Sequence, residues 1–328
     1  MNPSPDWTAL ERLRGIFLNR TASRGTYWRS RSDLASYDAT FGERIGWKWD
    51  AVLAELKRRG WTLPPGPVLD FGCGSGIAGR RVLAAFSAAP WPTLWLQDRS
   101  PLAVSFAMET AATVFPAAVV EPASREVLDG VAPIGTLVVS HVLNELRAPD
   151  CRRLLALARR STAVLWVEPG THADSQALIG VRESLRPELC PVAPCPHAAT
   201  CGLLVRGMER HWCHHFAAPP SAVLADPDWT QFARRMGVDL RSLPYSYLVL
   251  DRRAAGIPES GWTRVVGTPR WYKGHARVFA CDRSGVKEVR LTERKFPEVF
   301  DSLSGPAGHR WVRWTVAGDE VEAVQEHS

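Results

Sequence analysis

The chain has 328 residues, a formal net charge of +6, and 45% hydrophobic against 23% charged residues. This length predicts either one large domain with additions or two domains. The composition is ordinary for a soluble globular protein, and no apolar run approaches the roughly 18 residues that span a bilayer. The first residues lack the pattern of a secretory signal, so we expect a cytoplasmic protein without a membrane partner.

Two segments carry most of the excess positive charge. Residues 252–295 hold eleven Lys or Arg against four acidic residues, and residues 1–31 hold six Arg against two. Basic surface with aromatic platforms is typical of RNA binding, although a solvated arginine-rich surface has the same composition. The aromatic residues interleaved with the two segments are Trp7, Tyr27, Trp28, Trp262, Trp271 and Tyr272.

In chain order, residues 1–60 have apolar positions at helical spacing and predict a helical N-terminal region. From residue 64 to about 187, strand-like and helix-like runs alternate, which predicts an α/β fold with a doubly wound, mostly parallel Rossmann-like sheet. The predicted strands are Val68–Asp70, Thr93–Asp98, Ala118–Glu121, Thr136–His141 and Ala163–Glu168.

The first predicted strand runs into a glycine-rich turn, in which Asp70 is followed by Gly72, Gly74 and Gly76. A strand, a glycine turn and a helix place backbone N–H groups at a helix N-terminus, where they can face a ligand. Asp98 closes the second strand, at the distance where an acid is expected to hold ribose hydroxyls.

The spacing of this turn bears on which ligand it holds. Nicotinamide sites use G-x-G-x-x-G, whereas this D-x-G-x-G-x-G pattern resembles motif I of the class I S-adenosylmethionine-dependent methyltransferases. We therefore favour an S-adenosylmethionine pocket over dinucleotide binding and over a turn without a ligand.

The alternation breaks at residues 188–220, which hold four cysteines and four histidines with little regular pattern. This stretch predicts a Cys-rich insertion, followed by a β-rich C-terminal region that starts with an antiparallel strand pair, Tyr247–Asp251 and Trp262–Val266. We predict four segments: 1–60 (helical), 61–187 (cofactor-binding core), 188–240 (Cys-rich insertion) and 241–328 (closing strands and basic β-rich region). The later predicted strands are Ala276–Cys281, Val286–Leu291 and Trp311–Val316.

The cysteines of the insertion predict a metal site, because gathered thiolates need a counter-charge. Structural zinc sites usually have tight C-x2–4-C pairs, which are absent here apart from Cys190 and Cys195. Iron–sulfur sites accept more varied spacing, often with one distant cysteine, and Cys281 could supply it. Spacing thus favours an iron–sulfur centre only slightly over zinc, and unligated thiols stay an alternative.

Other residues around the insertion allow further interpretations. The four histidines could ligate zinc, support ligands from behind or contact RNA; they are His197, His211, His214 and His215. A Pro-Cys pair can also mark the nucleophile of an RNA cytosine methyltransferase. Cys73 and Cys151 are interpreted as packing residues.

Several segments together resemble one family. They are residues 70–76, the Asn-Glu-Leu segment at 140–146, the Glu-Pro-Gly segment at 168–171, the Cys-Pro-His segment at 193–197 and the Trp-Cys-His segment at 212–214. Over residues 25–300 the chain resembles the ribosomal small-subunit methyltransferase-like family, whose mitochondrial members are small-subunit assembly factors. The resemblance implies a class I methyltransferase fold and association with the small ribosomal subunit and its rRNA. It also implies a [4Fe–4S] cluster on Cys195, Cys201, Cys213 and Cys281, which leaves Cys190 outside the ligand set.

The resemblance does not decide whether the chain is a catalyst. Ser140–Leu146 stands where many amino-methylating enzymes have Asp/Asn-Pro-Pro-Tyr, and no catalytic residue is predicted. Asn144 in this segment is a candidate cofactor ligand, although it could also cap a helix. The alternatives are a non-catalytic assembly or RNA-binding factor that retains the fold, and a zinc-containing small-molecule methyltransferase. The oligomeric state stays open.

Overall fold

The computed structural model describes residues 5–19, 21, 25–86, 91–253, 261–304 and 311–325. The chain forms two compact units, Met1–Glu168 with Pro219–Leu243, and Pro169–Ala218 with Pro244–Ser328. The four segments predicted from the sequence have other boundaries and stay a prediction. Within the described ranges, no helix is long and apolar enough to cross a membrane.

The first unit begins with helices. Asp6 caps α1 (Trp7–Leu18) by accepting a hydrogen bond from the N–H of Ala9, and Ser30 caps α2 (Arg31–Tyr37) by accepting one from the N–H of Asp33. These N–H groups would otherwise lack partners at the helix N-termini. A π-helical turn, Asp38–Gly42, leads directly into α3, which buries Trp49 and Leu56. The helices are α1 (Trp7–Leu18), α2 (Arg31–Tyr37) and α3 (Glu43–Arg58).

A five-stranded parallel sheet follows, in the order β3-β2-β1-β4-β5. The alternation of strand and helix confirms the predicted Rossmann-like, mostly parallel α/β fold. Its elements are β1 (Val68–Phe71), α4 (Ile77–Phe86), β2 (Leu94–Gln97), α5 (Pro101–Val114), β3 (Val120–Pro122), α6 (Arg125–Asp129), β4 (Ile134–Ser140), the 3-10 turn Leu143–Glu145, α7 (Ala148–Arg160) and β5 (Ser161–Pro169).

The position of each strand in the sheet follows from its sequence. β1, β4 and β5 are almost continuously apolar and buried, as expected of central parallel strands that are covered on both faces. The short β3 lies at the edge and is largely exposed. Because the strand order reverses between β1 and β4, ligands are expected beyond the carboxyl ends of these two strands.

A later segment completes the first unit. Helix α9 (Pro227–Met236) follows the 3-10 turn Ser221–Ala225. The rings of Trp47 and Trp229 lie 4.8 Å apart, and those of Phe41 and Phe232 lie 5.0 Å apart. Large aromatic contacts of this kind bury substantial apolar area. The N-terminal helices therefore obtain part of their packing from residues nearly 200 positions later.

The second unit holds the cysteine-rich segment and a barrel. Strand β6 pairs with β8 in antiparallel fashion, and β7 also pairs with β8. The last five strands close a barrel around a core that includes Val278, Val289 and Leu291. The elements are α8 (His172–Leu185), β6 (Cys190–Ala193), the 3-10 turn Gly202–Leu204, β7 (His215–Ala217), β8 (Leu243–Asp251), β9 (Trp262–Tyr272), β10 (His275–Asp282), β11 (Gly285–Thr292), α10 (Pro297–Ser302), β12 (Trp311–Ala317) and β13 (Glu320–Gln325).

One predicted pairing is wrong. Segments 247–251 and 262–266 do not form an antiparallel pair with each other. The first belongs to β8, beside β6, and the second belongs to β9, between β10 and β12 in the barrel. Both segments are strands, but the apolar pattern does not say which partner each strand takes.

Candidate functional site

The glycine turn lies between β1 and α4, at the point where the strand order reverses. Gly72, Gly74 and Gly76 all have positive φ. A Cβ at Gly72 would lie 2.7 Å from Val142 Cγ2, so the protein itself fills the space beside this glycine. A Cβ at Gly74 would have Trp28 Cζ2 as its nearest neighbour, at 3.9 Å. The turn is therefore open at Gly74, where a ligand can approach the backbone.

Asp98 reaches this turn from the end of β2. Its Oδ2 accepts a hydrogen bond from the N–H of Gly74 at 3.0 Å, and its Oδ1 accepts one from the N–H of Ser100 at 2.8 Å. Burial raises the pKa of Asp98, and the two backbone donors lower it in part. The structure thus brings together the predicted turn and the predicted ribose-binding acid, which are 24 residues apart.

Asp70 lies beneath the turn and is fully buried. Its Oδ2 accepts a hydrogen bond from the N–H of Gly79 at 2.9 Å, whereas its Oδ1 has no hydrogen-bond partner among the described residues. Burial raises the pKa of Asp70 to about 7, although the Gly79 N–H and the charge of Arg80 act against this rise. A buried carboxyl with an unsatisfied oxygen is costly for the fold, which is typical of a functional position.

Arg80 fixes the far side of the turn. Its Nη1 donates to the carbonyl oxygen of Ser75 at 2.6 Å, and its Nη2 donates to both carboxylate oxygens of Asp38 at 2.7 and 2.9 Å. The side chain is buried, so this charged network is shielded from water. The π-helical turn that begins at Asp38 is thereby tied to the glycine turn.

The end of β4 carries a strained histidine. His141 has φ 56°, in the left-handed region that residues other than glycine rarely adopt. Its Nε2 lies 3.2 Å from Lys48 Nζ, and Ser140 Oγ, which accepts a hydrogen bond from Trp49 Nε1, lies beside its Nδ1. Burial, followed by the charges of Lys48 and Arg44, holds the pKa of His141 well below its ordinary value. The ring is therefore neutral and accepts a hydrogen bond from the lysine.

Glu145 occupies the next turn and connects several groups near Asp98. Tyr27 Oη donates to its carboxylate at 3.3 Å, and Arg99 Nη2 lies 3.2 Å from Oε2. Burial raises the pKa of Glu145 to about 7, against the charge of Arg99, and the charge of Asp98 adds to the rise. Burial and the nearby charge of Glu145 also raise the pKa of Tyr27. At neutral pH the carboxyl of Glu145 is therefore partly protonated, whereas the phenol of Tyr27 keeps its proton.

A groove opens beside Asp98. It has a volume of about 610 Å³, within the usual range of small-molecule sites. The lining is mostly apolar, with the polar groups of Asp98, Ser105 and Glu109 among it. Its apolar residues include Leu96, Pro101, Val104, Met108, Pro122 and Leu128.

The second unit brings four of the predicted cysteines together. Burial raises the pKa of the Cys281 thiol well above its ordinary value, and the nearby thiols of Cys195, Cys213 and Cys201 raise it further. Burial also raises the pKa of Cys213, again with contributions from Cys195 and Cys201. The four side chains therefore lie within electrostatic reach of one another, although Cys281 is on β10 and far away in the sequence. All seven cysteines of the chain are free thiols.

Buried polar groups surround these thiols. Arg182 Nε donates to Cys195 Sγ at 3.1 Å, and its Nη2 donates to the carbonyl oxygens of His197 and Ala199 at 3.0 and 2.9 Å. His197 Nε2 lies 3.8 Å from Cys281 Sγ. Its Nδ1 is buried without a hydrogen-bond partner among the described residues. His215 Nε2 lies 3.6 Å from Cys213 Sγ.

Four gathered thiols are a donor set that suits a thiolate-bound metal centre. Buried thiols with raised pKa values lose their protons only when a bound cation compensates the charge. Over the described part of the chain, no three His, Cys, Asp or Glu side chains are placed to hold one metal ion. The choice between an iron–sulfur cluster and zinc therefore stays a prediction.

Comparison with known proteins identifies the family. A family model described as "Mitochondrial small ribosomal subunit Rsm22" matches residues 43–319. The chain belongs to the Rsm22 family. A search of curated proteins found no match. The match to Rsm22 extends from α3 through both units to the turn before β13.

Two solved methyltransferase structures are similar to this Rsm22-family chain. One is magnesium protoporphyrin IX methyltransferase (ChlM) from Synechocystis PCC 6803 with bound SAM, at 13% identity and a TM-score of 0.40, covering 77% of this chain and 100% of that one. The other is the plantazolicin methyltransferase BpumL in complex with SAH, at 12% identity and a TM-score of 0.41, covering 75% and 100%. At these scores neither match assigns a residue or a ligand here.

The predicted cofactor residues of the Rsm22-family chain have separate environments. Gly74 and Asp98 are in direct contact. Gly72 and Gly76 have positive φ within the turn, and Asp70 is buried beneath it, where it accepts a hydrogen bond from the N–H of Gly79. Asn144 lies half-buried in the 3-10 turn after β4, and its role as a cofactor ligand stays a prediction.

Other residues of the site were not singled out from the sequence as a unit. Lys48 and Tyr27 belong to the helical N-terminal region, and no spacing rule connects them to His141 or Glu145. The interpretation of Trp28 as an RNA platform is wrong, because it is buried at 8% exposure and packs between Tyr27 and Tyr37. Trp271 and Tyr272, by contrast, are exposed at 39% and 51%.

We expect the ionisation of Asp70 to lower the free energy of unfolding of the ligand-free protein as the pH rises. Its pKa of about 7 in the folded state exceeds the ordinary value of 3.8. The folded state therefore binds this proton more tightly, and stability falls as pH rises between these values. Asp70→Asn cannot ionise and still accepts from the Gly79 N–H, so it should flatten the decline. Urea unfolding at about pH 5, 6, 7 and 8 measures this.

The exposed Asp129 provides the control for Asp70. It pairs with Arg153 at the protein surface, so Asp129→Asn should keep the decline of the unmodified protein. An Asp70→Asn protein whose unfolding free energy falls with pH as steeply as that of the Asp129→Asn protein would contradict the raised pKa.

Arg182 is expected to stabilise the second unit. Arg182→Gln removes the hydrogen bond to Cys195 Sγ and leaves the carbonyls of His197 and Ala199 without their buried donor. The loss should lower the free energy of unfolding by about 2–4 kcal/mol, measured by urea denaturation. Arg186→Gln is the matched control, because Arg186 also pairs with Glu183 but is more exposed. Equal losses in the two variants would show that the buried network contributes nothing.

Proposed function

We propose that this Rsm22-family protein is an S-adenosylmethionine-dependent methyltransferase that acts on small-subunit rRNA during assembly of the small ribosomal subunit. The observation that carries the proposal is the contact between Asp98 and the open turn at Gly74, at the carboxyl edge of β1. This is where a doubly wound sheet binds a nucleoside. The family description supplies the ribosomal partner.

The residues of the chain suit the parts of S-adenosylmethionine. Asp98 presents a carboxylate for the ribose hydroxyls, and the groove beside it offers an apolar surface for the adenine ring. The N–H of Gly74 donates to Asp98 in this structure. It can donate to the cofactor instead when the cofactor is bound. The unsatisfied Oδ1 of Asp70 gives the buried side of the turn an acceptor for a donor group of the ligand.

Methyl transfer asks for alignment rather than for strong acid–base chemistry. The methyl group of the sulfonium cofactor is already activated, so holding the nucleophile in line with it supplies most of the rate enhancement. Glu145, with its pKa raised to about 7, is the group after β4 that can accept a proton from an incoming nucleophile. Tyr27 and Arg99 hold Glu145 in place.

The four thiols of the second unit are proposed to hold a [4Fe–4S] cluster. Cys195, Cys201, Cys213 and Cys281 would be its ligands, and Arg182 would donate a hydrogen bond to the first of them. When bound, the cluster would supply the counter-charge that these buried thiolates need, and would cross-link the Cys-rich segment to β10. Its proposed role is structural, because it joins segments that are distant in the sequence.

The test combines binding and transfer. Anaerobically purified protein should bind S-adenosylhomocysteine and transfer a tritiated methyl group from S-adenosylmethionine to the rRNA of immature small subunits. Mature subunits and naked tRNA are the controls and should stay unlabelled. Cofactor binding without any label in rRNA would overturn the enzymatic part of the proposal.

A second candidate is a non-catalytic assembly factor that retains the fold. It is favoured by the end of β4, where Lys48 engages His141 and the Tyr27–Arg99 pair engages Glu145. Side chains held in this way can stabilise a binding surface without taking part in a reaction. Subunit association without methyl transfer would support this candidate.

A zinc-containing small-molecule methyltransferase is less favoured. The match to the Rsm22 family favours a ribosomal partner over a small-molecule substrate, and failure to bind immature subunits would be needed to revive this candidate. The expected cytoplasmic location stays a prediction.

A further inference from the structure

The barrel of the second unit has a specific topology. Its strands close in the order β9-β10-β11-β13-β12 and back to β9. β11 and β13 are parallel, whereas the other described pairs of the barrel are antiparallel. Helix α10 lies in the chain between β11 and β12, the third and fourth strands of the barrel. This is the arrangement of an OB-fold, whose second and third strands and adjoining loops bind oligonucleotides.

The corresponding elements here are β10, β11, the turn at residues 273–274 and the turn at residues 318–319. The second turn lies beside the first two elements, because Asp319 accepts hydrogen bonds from Arg277 Nη1 and from the N–H of Arg290, each at 2.6 Å. The face that would bind an oligonucleotide in an OB-fold is therefore complete in this chain.

The Cys-rich segment covers one end of this face. Ala276, Val278 and Ala280 point into the barrel, so the alternate residues of β10 point outward. Among these, Phe279 packs against the ring of His211 at 4.2 Å, and Cys281 lies beside His197. Of the outward residues of β10, those nearer the turn at 273–274 remain for another partner.

Three arginines lie in register across the uncovered end. Arg270 on β9 is opposite Arg277 on β10, which is opposite Arg290 on β11. Like charges directly opposite each other destabilise a sheet. Two carboxylates relieve part of this repulsion, since Glu288 pairs with Arg270 and Arg277, and Asp319 pairs with Arg277. A row of like charges is well suited to a polyanion that crosses the three strands.

An aromatic platform lies beside the arginine row. The rings of Tyr272 and His275 are stacked, with centroids 5.0 Å apart and planes 9° apart. Tyr272 is 51% exposed, and the exposed Lys273 lies in the turn between them. Proteins that bind single strands combine such platforms for stacking bases with basic grooves that follow the phosphates.

We propose that this end of the barrel binds a short stretch of single-stranded RNA. We call this end of the barrel the turn surface. It consists of Arg270, Tyr272, Lys273, His275, Arg277 and Arg290. An unpaired base stacks on Tyr272, and the phosphates on either side lie along the arginine row. A duplex is disfavoured because its bases are already stacked on one another. The choice of RNA rests on the function proposed above, whereas the binding surface itself is derived from the barrel alone.

The experiment uses the full-length protein and fluorescein-labelled oligouridylate of about twelve nucleotides, within the usual site size of such barrels. Tyr272→Ala should weaken binding about tenfold or more, whereas Tyr272→Phe, which keeps the ring, should bind like the unmodified protein. Lys273→Ala and Arg290→Ala should each lower the slope of log affinity against log salt by about 0.7. The matched control is Arg283→Ala, which removes a charge from the exposed turn at the other end of the β10–β11 hairpin. This variant should keep both the affinity and the slope.

Several results would overturn the proposal. These are equal binding by Tyr272→Ala and the unmodified protein, equal effects of Arg283→Ala and Arg290→Ala, or equal affinity for the strand and its duplex. A protein that binds small subunits but no oligonucleotide would overturn RNA binding by the turn surface and leave the function proposed above unaffected. Tyr272-dependent binding of oligonucleotides without any binding of subunits would instead remove the ribosomal role and leave the turn surface intact.

Discussion

Cys281→Ala is expected to abolish the proposed metal centre. This cysteine comes from β10, whereas the other three proposed ligands come from the segment at 195–213, so its loss leaves the cluster attached to only one part of the unit. We expect anaerobically purified protein to be brown, with absorbance at about 400 nm, and the variant to lose most of its iron, sulfide and colour. Because ligand binding and folding are coupled, the free energy of unfolding should fall as well.

Cys190→Ala is the matched control for this experiment. Cys190 lies at the start of β6 in the same segment and is half-buried, like Cys281. It does not belong to the proposed ligand set, so its variant should keep iron, sulfide and colour. Full iron content in Cys281→Ala, or one equivalent of zinc in the colourless unmodified protein, would contradict a four-cysteine cluster.

Gly74→Asp is expected to abolish cofactor binding. The residue has φ 52°, which an aspartate adopts only at a cost of about 1 kcal/mol. The larger effect is electrostatic, since the new carboxylate would stand next to Asp98, whose Oδ2 accepts the N–H of this same residue. We expect affinity for S-adenosylhomocysteine to fall at least about 100-fold by titration calorimetry, with methyl transfer lost in parallel.

Gly60→Asp separates the effect on the site from the effect on the backbone. Gly60 has φ 67°, and a Cβ at this position would meet no atom within 4 Å. It lies after α3, away from the glycine turn. The two variants should lose similar stability, but only Gly74→Asp should lose the ligand. If cells that carry Gly74→Asp still accumulate small subunits normally, methyl transfer is not the function required for assembly.

The parallel sheet could be predicted from the sequence because its signals are local. β1, β4 and β5 are short apolar runs with helix signals between them, and the glycine turn with Asp98 follows a known spacing. The barrel could not be predicted in the same way. Its closure depends on pairs such as Trp311 with Arg264, which are far apart in the sequence. β13 is rich in Glu and has no apolar run that would mark it.

The candidate sites show the same division. Cys195, Cys201 and Cys213 stand out by their clustering, whereas Cys281 is predicted only as a distant fourth cysteine, a choice that the family resemblance also implies. In the structure, β10 carries this thiol within electrostatic reach of the others, and its role as a metal ligand stays a prediction. Trp28 shows the opposite error: its basic neighbourhood predicted a surface ring, but packing against Tyr27 and Tyr37 buries it. Composition indicates that arginines are exposed, and it does not indicate the position of the rings between them.

The discontinuous first unit affects how the protein is made. Trp229 and Phe232 on α9 cover Trp47 and Phe41, yet a growing chain exposes the early pair long before the later pair is synthesised. The cysteine-rich segment is translated in between, so it must leave the exit tunnel while its neighbour is still unfinished. A nascent chain that stops short of α9 lacks the rings that pack on Trp47 and Phe41, so the first unit is completed only after the cysteine-rich segment has been made.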